Sequence, residues 1–146
     1  MTTKLSNHYQ GYLLVAKPAN TRDELNRGVY LMATQNHSLS VGLQLNNRLA
    51  HMTLEEVSAT AGIDIGHVGS RLNNPLYYGG DCAVGRVHVI HTNDWQGITT
   101  VKLNDHLSIT NDISVLVALS RGDGPEYFRA CAGYWGWPEG RLDNEL

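Results

Sequence analysis

At 146 residues and 16.1 kDa the chain fits one domain, residues 1–146, long enough to bury most of its apolar surface in a single core. Its 42% hydrophobic and 17% charged residues exclude a disordered chain, and 11 Lys and Arg against 14 Asp and Glu leave a net charge of −3, with no global attraction for phosphate backbones. No run approaches the roughly 20 apolar residues of a membrane helix, residues 1–10 lack a signal-peptide core, and two cysteines make no secreted scaffold, so the expected setting is the cytoplasm with reduced thiols.

Gly11 to Lys17 is a short apolar run closed by Pro18, which reads as a buried strand entering a loop. Residues 20–26 are polar and turn-like, and they place Arg22 close to Arg27. Val29 to Thr34 and Val41 to Leu45 are β-rich runs separated by residues 35–38, which predicts a hairpin. Thr53 and Glu56 then form a capping box, with Met52 and Val57 at the flanking staple positions, so a helix is predicted from Thr53 to Gly62. Gly85 to Thr92 reads as a strand with Val87 and Val89 on one face and His88 and Ile90 on the other. A further strand is predicted over Ile98 to Leu103. A second helix is predicted from Asp112 to Leu119, capped by Thr110 or Asn111, with Ile113, Leu116, Val117 and Ser120 on a shared face. The turn Gly122-Asp123-Gly124-Pro125 leads into a long aromatic strand, Tyr127 to Trp137.

Several of these segments, in this order, resemble the AlgH/YqgE family of bacterial proteins, often labelled transcriptional regulators, whose molecular activity is unestablished. Gly11-Tyr12-Leu13-Leu14-Val15-Ala16-Lys17-Pro18 is similar to the family's opening strand, and Arg27-Gly28-Val29-Tyr30-Leu31 to its second. Val41-Gly42-Leu43-Gln44-Leu45-Asn46, the aromatic-Gly-Gly turn Leu76-Tyr77-Tyr78-Gly79-Gly80, the histidine strand Val87 to Thr92 and Leu107-Ser108-Ile109-Thr110 follow. The glycine-punctuated aromatic stretch from Gly133 to Pro138, with Glu139 to Leu146 behind it, completes the match. The chain departs from the pattern at Asn47, at Asp81 and at Asp112-Ile113-Ser114, and it reads as shortened at the C-terminus, since family members continue beyond the segment that closes at Leu146. The resemblance implies an α/β (α+β) fold: one strongly bent mixed β-sheet, barrel-like, packed with two or three helices. It also implies a noncatalytic binding or regulatory protein whose surface is built from the loops at Pro18 to Arg27 and Tyr77 to Cys82. Arg22, Arg27, Tyr78, Gly79, Gly80 and Asp81 are therefore the candidate binding residues. An exposed Trp135 is the candidate interface anchor, set against the alternative that Tyr134, Trp135 and Trp137 pack as core.

The second functional class is a small enzyme using Cys82. A thiol in the amide-rich Gly79-Gly80 turn gains nucleophilicity if its pKa falls, and His91 or His88 would serve as its base; the competing reading is a tight turn with a half-buried cysteine. His88 and His91 are three apart on a strand and point to opposite faces, so they cannot share a metal, and one inward histidine satisfied by a backbone partner is the expected arrangement. No Walker or dinucleotide glycine pattern is present, and neither a metal nor a cofactor is expected. The expected partner is a protein or a small effector rather than duplex DNA. A homodimer is expected on the ground that the missing continuation exposes apolar surface.

Overall fold

The computed structural model describes residues 10–15, 28–35 and 39–138. Among them lie eight strands and two helices: β1 (Leu13–Val15), β2 (Val29–Gln35), β3 (Leu39–Gln44), α1 (Leu54–Thr60), β4 (Leu76–Tyr78), β5 (Cys82–Thr92), β6 (Val101–Lys102), β7 (Leu107–Thr110), α2 (Ser114–Ser120) and β8 (Phe128–Pro138). The strand order is β1-β2-β3-β8-β5-β7-β6 with antiparallel neighbours, while β4 lies parallel to β8. This is the mixed, strongly bent sheet expected from the sequence.

The bend is visible in which residues meet. Leu31 and Ala33 of β2, Leu43 of β3, Ile90 of β5 and Cys131 of β8 share a buried cluster with Leu103, and Leu107 and Ile109 of β7 pack onto it. Strands near opposite ends of the order can share one face only if the sheet curls, and here it forms a half-barrel around that cluster. Asn104 draws the two ends together by donating from Nδ2 to the Gly11 carbonyl at 2.9 Å, while the Gly11 amide donates to Met32 O at 2.7 Å. Only glycine fits there, because φ is +81° and an added Cβ would stand 2.5 Å from the Leu103 carbonyl oxygen.

The outer face of β5 and β8 carries the helices. Leu54 of α1 and Val115, Leu116 and Leu119 of α2 pack against Leu76, Val89 and Ala130, with Leu72 from the preceding loop. Full burial of each such leucine contributes about 2 kcal/mol. Helix α1 begins where the capping box places it: Glu56 N donates to Thr53 Oγ1 at 3.1 Å and Thr53 N donates to Glu56 Oε1 at 2.9 Å. Its end at Gly62 is also as expected, with φ at +87°.

Three expectations are corrected. Helix α2 starts at Ser114 rather than Asp112, because the Asp112 carboxylate accepts the Ser114 amide at 3.1 Å and the Ser114 hydroxyl, holding residues 112–113 outside the helix. Its buried face is accordingly Val115, Leu116, Leu119 and Ser120, with Ile113 exposed and Val117 half-buried. The strand predicted over Ile98 to Leu103 shrinks to Val101–Lys102, and Ile98 stands 95% exposed in the loop before it.

At the other end of the sheet Trp135 is only 5% exposed, which overturns its expected role as an exposed anchor. It joins Tyr30, Met32 and Trp137 in one cluster and donates from Nε1 to Gln44 Oε1 at 3.2 Å. The aromatic pairs meet edge to face, Tyr30 with Trp137 at 5.8 Å and Tyr78 with Trp135 at 6.4 Å, so the core reading of these residues holds.

Candidate functional site

Gly79 and Gly80 are buried where the end of β4 crosses β8, and the crossing explains both. A Cβ at Gly80 would lie 2.0 Å from the Tyr134 carbonyl carbon, and one at Gly79 would lie 2.4 Å from Gly133 O. The Gly79 amide donates to Ala132 O at 2.8 Å, and its carbonyl accepts the Gln44 amide at 2.9 Å. That N–H is thus committed to the sheet rather than offered to a ligand, while Asp81, exposed, and Cys82, half-buried, are the accessible members of the segment. Arg22 and Arg27 lie outside the described residues.

The Cys82 thiol donates to Asp81 Oδ1 at 3.7 Å, and burial together with the Asp81 charge pushes its pKa up from the ordinary 9.0. This is the reverse of the activation expected from an amide-rich turn. The sheet also separates thiol and histidine. Cys82 stands opposite Tyr134 and His91 opposite Phe128, six residues along β8, a span of about 20 Å at strand rise. The proposed Cys82–His91 pair is therefore corrected: the two cannot exchange a proton. His88, opposite Cys131, is about 10 Å along the strand from the Cys82 register.

The two histidines do face opposite ways. His91 is buried on the helix side, edge-on to Trp95 at 5.7 Å. Its Nδ1 meets the Thr92 carbonyl at 2.7 Å, and because a carbonyl only accepts, Nδ1 carries a proton. Nε2 is hydrogen-bonded to the Thr110 hydroxyl at 2.7 Å, the Thr110 and Thr100 hydroxyls are bonded to each other at 2.7 Å, and Thr100 accepts from the Gly97 amide at 2.7 Å. Every polar atom in this chain is satisfied, so it locks β5, β7 and the loop before β6 together. His88 lies on the barrel side, edge-on to Tyr134 at 6.0 Å, with its pKa lowered by burial and by the nearby Arg86 charge. Among the described residues no group of three His, Cys, Asp or Glu side chains is placed to hold a metal ion.

A concave surface unmarked in the sequence lies between the helices. From Cys82 to Val87, β5 advances five residues while β8 advances two, from Tyr134 to Ala132, so residues 83–86 bulge away from the ladder. Ala83 takes φ of +49°, rare for a residue with a Cβ. Facing Val57 of α1 and Ala61 just after it, the bulge shapes a groove of about 640 Å³ that continues past Val87 toward Leu116 of α2 as a second section of about 560 Å³. Met52 is 47% exposed, Val84 44% and Ile113 54%, giving the groove apolar walls open to solvent. His51, Glu56, Arg86 and Asp112 mark its polar border. Val84 lies just before the strand predicted from Gly85, within the bulged stretch, and is exposed.

A curled sheet closed by a glycine crossing, with two short helices on its outer face, defines a class of small α/β domains. Residues 13–146 match the AlgH-like family, and the chain belongs to it. A UPF0301 protein of Rhodospirillum rubrum is 30% identical over 150 residues, covering 100% of this chain and 77% of that protein. A UPF0301 protein of Methylococcus capsulatus is 30% identical over 136 residues, covering 93% and 73%. The solution structure of the AlgH protein from Pseudomonas aeruginosa matches with a TM-score of 0.76 at 24% identity, over 100% of this chain and 75% of that one. A crystal structure of a Corynebacterium diphtheriae protein matches at 0.71 and 20% identity, over 94% and 70%. These structural likenesses establish the shared fold. No helix among the described residues is long and apolar enough to cross a membrane.

Proposed function

We propose that this chain is a noncatalytic regulatory protein of the cytoplasm that works by binding, and that the groove between α1, the β5 bulge and α2 receives an apolar segment of a protein partner. The observation that carries this reading is the exposure of Met52, Val84 and Ile113 along one groove bordered by charges of both signs. Interfaces combine an apolar centre with a polar border, and a methionine adapts its shape to a partner. A raised thiol pKa at Cys82, with His91 far along the strand, gives the enzyme reading no support.

The test compares the native chain with Val84→Asp, whose side chain stands in solvent and whose thermal unfolding should match the native protein within a degree or two. Capture from the native host should recover a stoichiometric protein with the native chain and lose it with Val84→Asp. A second copy of the chain is the first partner to examine, by light scattering across micromolar concentrations. Equal capture by both chains would rule out the groove. Sequence-specific duplex binding by the purified chain at physiological salt would favour direct transcriptional control instead.

A further inference from the structure

On the barrel side of β4 and β8 two arginines gather on one tyrosine. Arg48 and Tyr77 stand directly opposite each other in an isolated antiparallel bridge. The Leu49 amide donates to Leu76 O at 2.9 Å and the Tyr78 amide to Asn47 O at 2.6 Å, so the bonds flank Arg48 and Tyr77 rather than join them. In such a non-hydrogen-bonded pair the Cα atoms lie about 4.5 Å apart and the two side chains rise side by side from one face. That face is the barrel side: Tyr77 packs onto the cluster of Leu31, Leu43 and Cys131, while Leu49, the next residue after Arg48, packs with the helix-side core. Tyr77 is also the register partner of Cys131, and Arg129, two residues earlier on β8, projects from the same face. The Arg129 guanidinium lies over the Tyr77 ring, 4.4 Å from its centroid, and donates from Nη1 to Leu45 O at 2.7 Å.

These contacts fix the Arg129 guanidinium without using up its donors. A guanidinium carries five N–H groups, and one of them is committed to Leu45. Both arginines are exposed, and among the described residues neither is ion-paired with a carboxylate. Two like charges therefore share one aromatic support, an arrangement that is unfavourable alone and becomes favourable when an anion joins them. Because the Arg129 fork is already oriented by stacking and by Leu45, gripping an oxyanion costs little further side-chain ordering. Two cations match a doubly charged oxyanion better than a single carboxylate. They do not suffice for a nucleic-acid backbone, which needs a row of cations, and the net charge of −3 offers no wider attraction.

We propose that Arg48 and Arg129, seated on Tyr77, form a binding site for one doubly charged oxyanion, a phosphate group that is either free or carried as a monoester. Arg129 offers the donors not turned to Leu45, and Arg48 closes on the same anion from across the bridge. The site is independent of the partner-binding reading, since it lies on the barrel side of the sheet and the groove lies on the helix side.

Inorganic phosphate is the direct probe, with methyl phosphate as the monoester, acetate as the singly charged control and chloride at matched ionic strength as the screening control. In NMR titrations of the full chain at pH 7.5, phosphate should saturate at millimolar concentration, shifting the Nε resonances of Arg48 and Arg129 and the amides of Asn47, Arg48 and Tyr77. Acetate should bind about tenfold more weakly, because it brings one charge to two cations. On going from pH 7.5 to pH 5, methyl phosphate, with a second pKa of about 6, should lose affinity, whereas sulfate, doubly charged at both, should not. Arg48→Gln should weaken phosphate by about tenfold or more, the scale of one charge-assisted hydrogen bond. Arg129→Lys keeps the charge but loses the planar fork and should also weaken it. Methyl phosphate binding as tightly as inorganic phosphate would assign the group to a carrier, and preference for inorganic phosphate would assign the free anion; either supports the site. Shifts in the native protein that never saturate, or that chloride reproduces, would overturn it whether or not the variants fold. Native affinity in both folded variants would overturn the assignment to these arginines.

Discussion

The Cys82 thiol and the capping box at Thr53 show how differently single residues yield to inspection. Thr53 and Glu56 act on backbone groups three residues away, so their pairing is written in the local sequence and appears at 3.1 and 2.9 Å in the folded chain. Cys82 instead takes its character from burial and from the Asp81 charge, and a Gly-Gly-Asp-Cys string cannot reveal whether its amides face a thiol or a neighbouring strand. The outcome is measurable. Alkylation follows the thiolate, and a thiol whose pKa lies above 9.0 holds a smaller thiolate fraction at pH 7.5 than an unperturbed one. Cys82 should therefore react with iodoacetamide more slowly than a free cysteine peptide, and its rate should keep rising beyond pH 9.0. Removing the charge with Asp81→Asn should speed the reaction by about two- to fivefold, the scale of a surface charge pair. Reaction faster than the free peptide at neutral pH would restore the nucleophile reading. Cys131, buried and with its pKa pushed up to about 12, should stay unmodified until the protein unfolds.

At the scale of elements, the legible ones are those with local causes. The strands of β2 and β3 and the start of α1 follow from β-rich runs and capping, but α2 begins late because Asp112 competes for its first amide and hydroxyl. Strand β4 has three residues and pairs parallel with a strand some 50 residues away, so no local pattern announces it. What the sequence does display is the Gly79-Gly80 turn, whose cause is the β4–β8 crossing. Gly80→Ala should destabilise the protein by about 3 kcal/mol or more, because a Cβ 2.0 Å from the Tyr134 carbonyl carbon meets backbone that cannot swing aside. Gly85→Ala is the matched control: nothing lies within 4 Å of its added Cβ, and the change in stability should stay within about 0.5 kcal/mol. Urea denaturation of the two variants separates a packing requirement from a general need for flexibility near the bulge. Similar losses in both would show that the crossing is not the reason for the glycines.

Across the whole molecule, β8 is the organising strand. It comes last among the described elements yet pairs with β3, β4 and β5, so these three strands are joined only when β8 arrives. Such long-range pairing leaves no periodic signature, which is why family resemblance supplies the bent α/β sheet while composition supplies only one compact domain. The groove is hidden for a similar reason, since it depends on the register between β5 and β8. Asn104 makes three bonds, one across the closure and two that hold its own turn: its amide donates to Gly11 O, and its Oδ1 accepts from the amides of His106 and Leu107, each at 2.8 Å. Asn104→Ala removes all three. If these bonds hold the half-barrel shut, the loss should appear locally as faster hydrogen exchange of the Gly11 and Met32 amides, which bond across the first strand pair, and of Leu107. Amides between β5 and β8 should keep their native protection, since their ladder does not pass through the closure. The global cost should be about 1–3 kcal/mol. Uniform acceleration across all strands would mean that the sheet opens as one cooperative unit and that Asn104 merely stabilises the whole. Unchanged exchange at Gly11 and Met32 would place the closure elsewhere, in the shared packing of Leu31, Leu103 and Leu107.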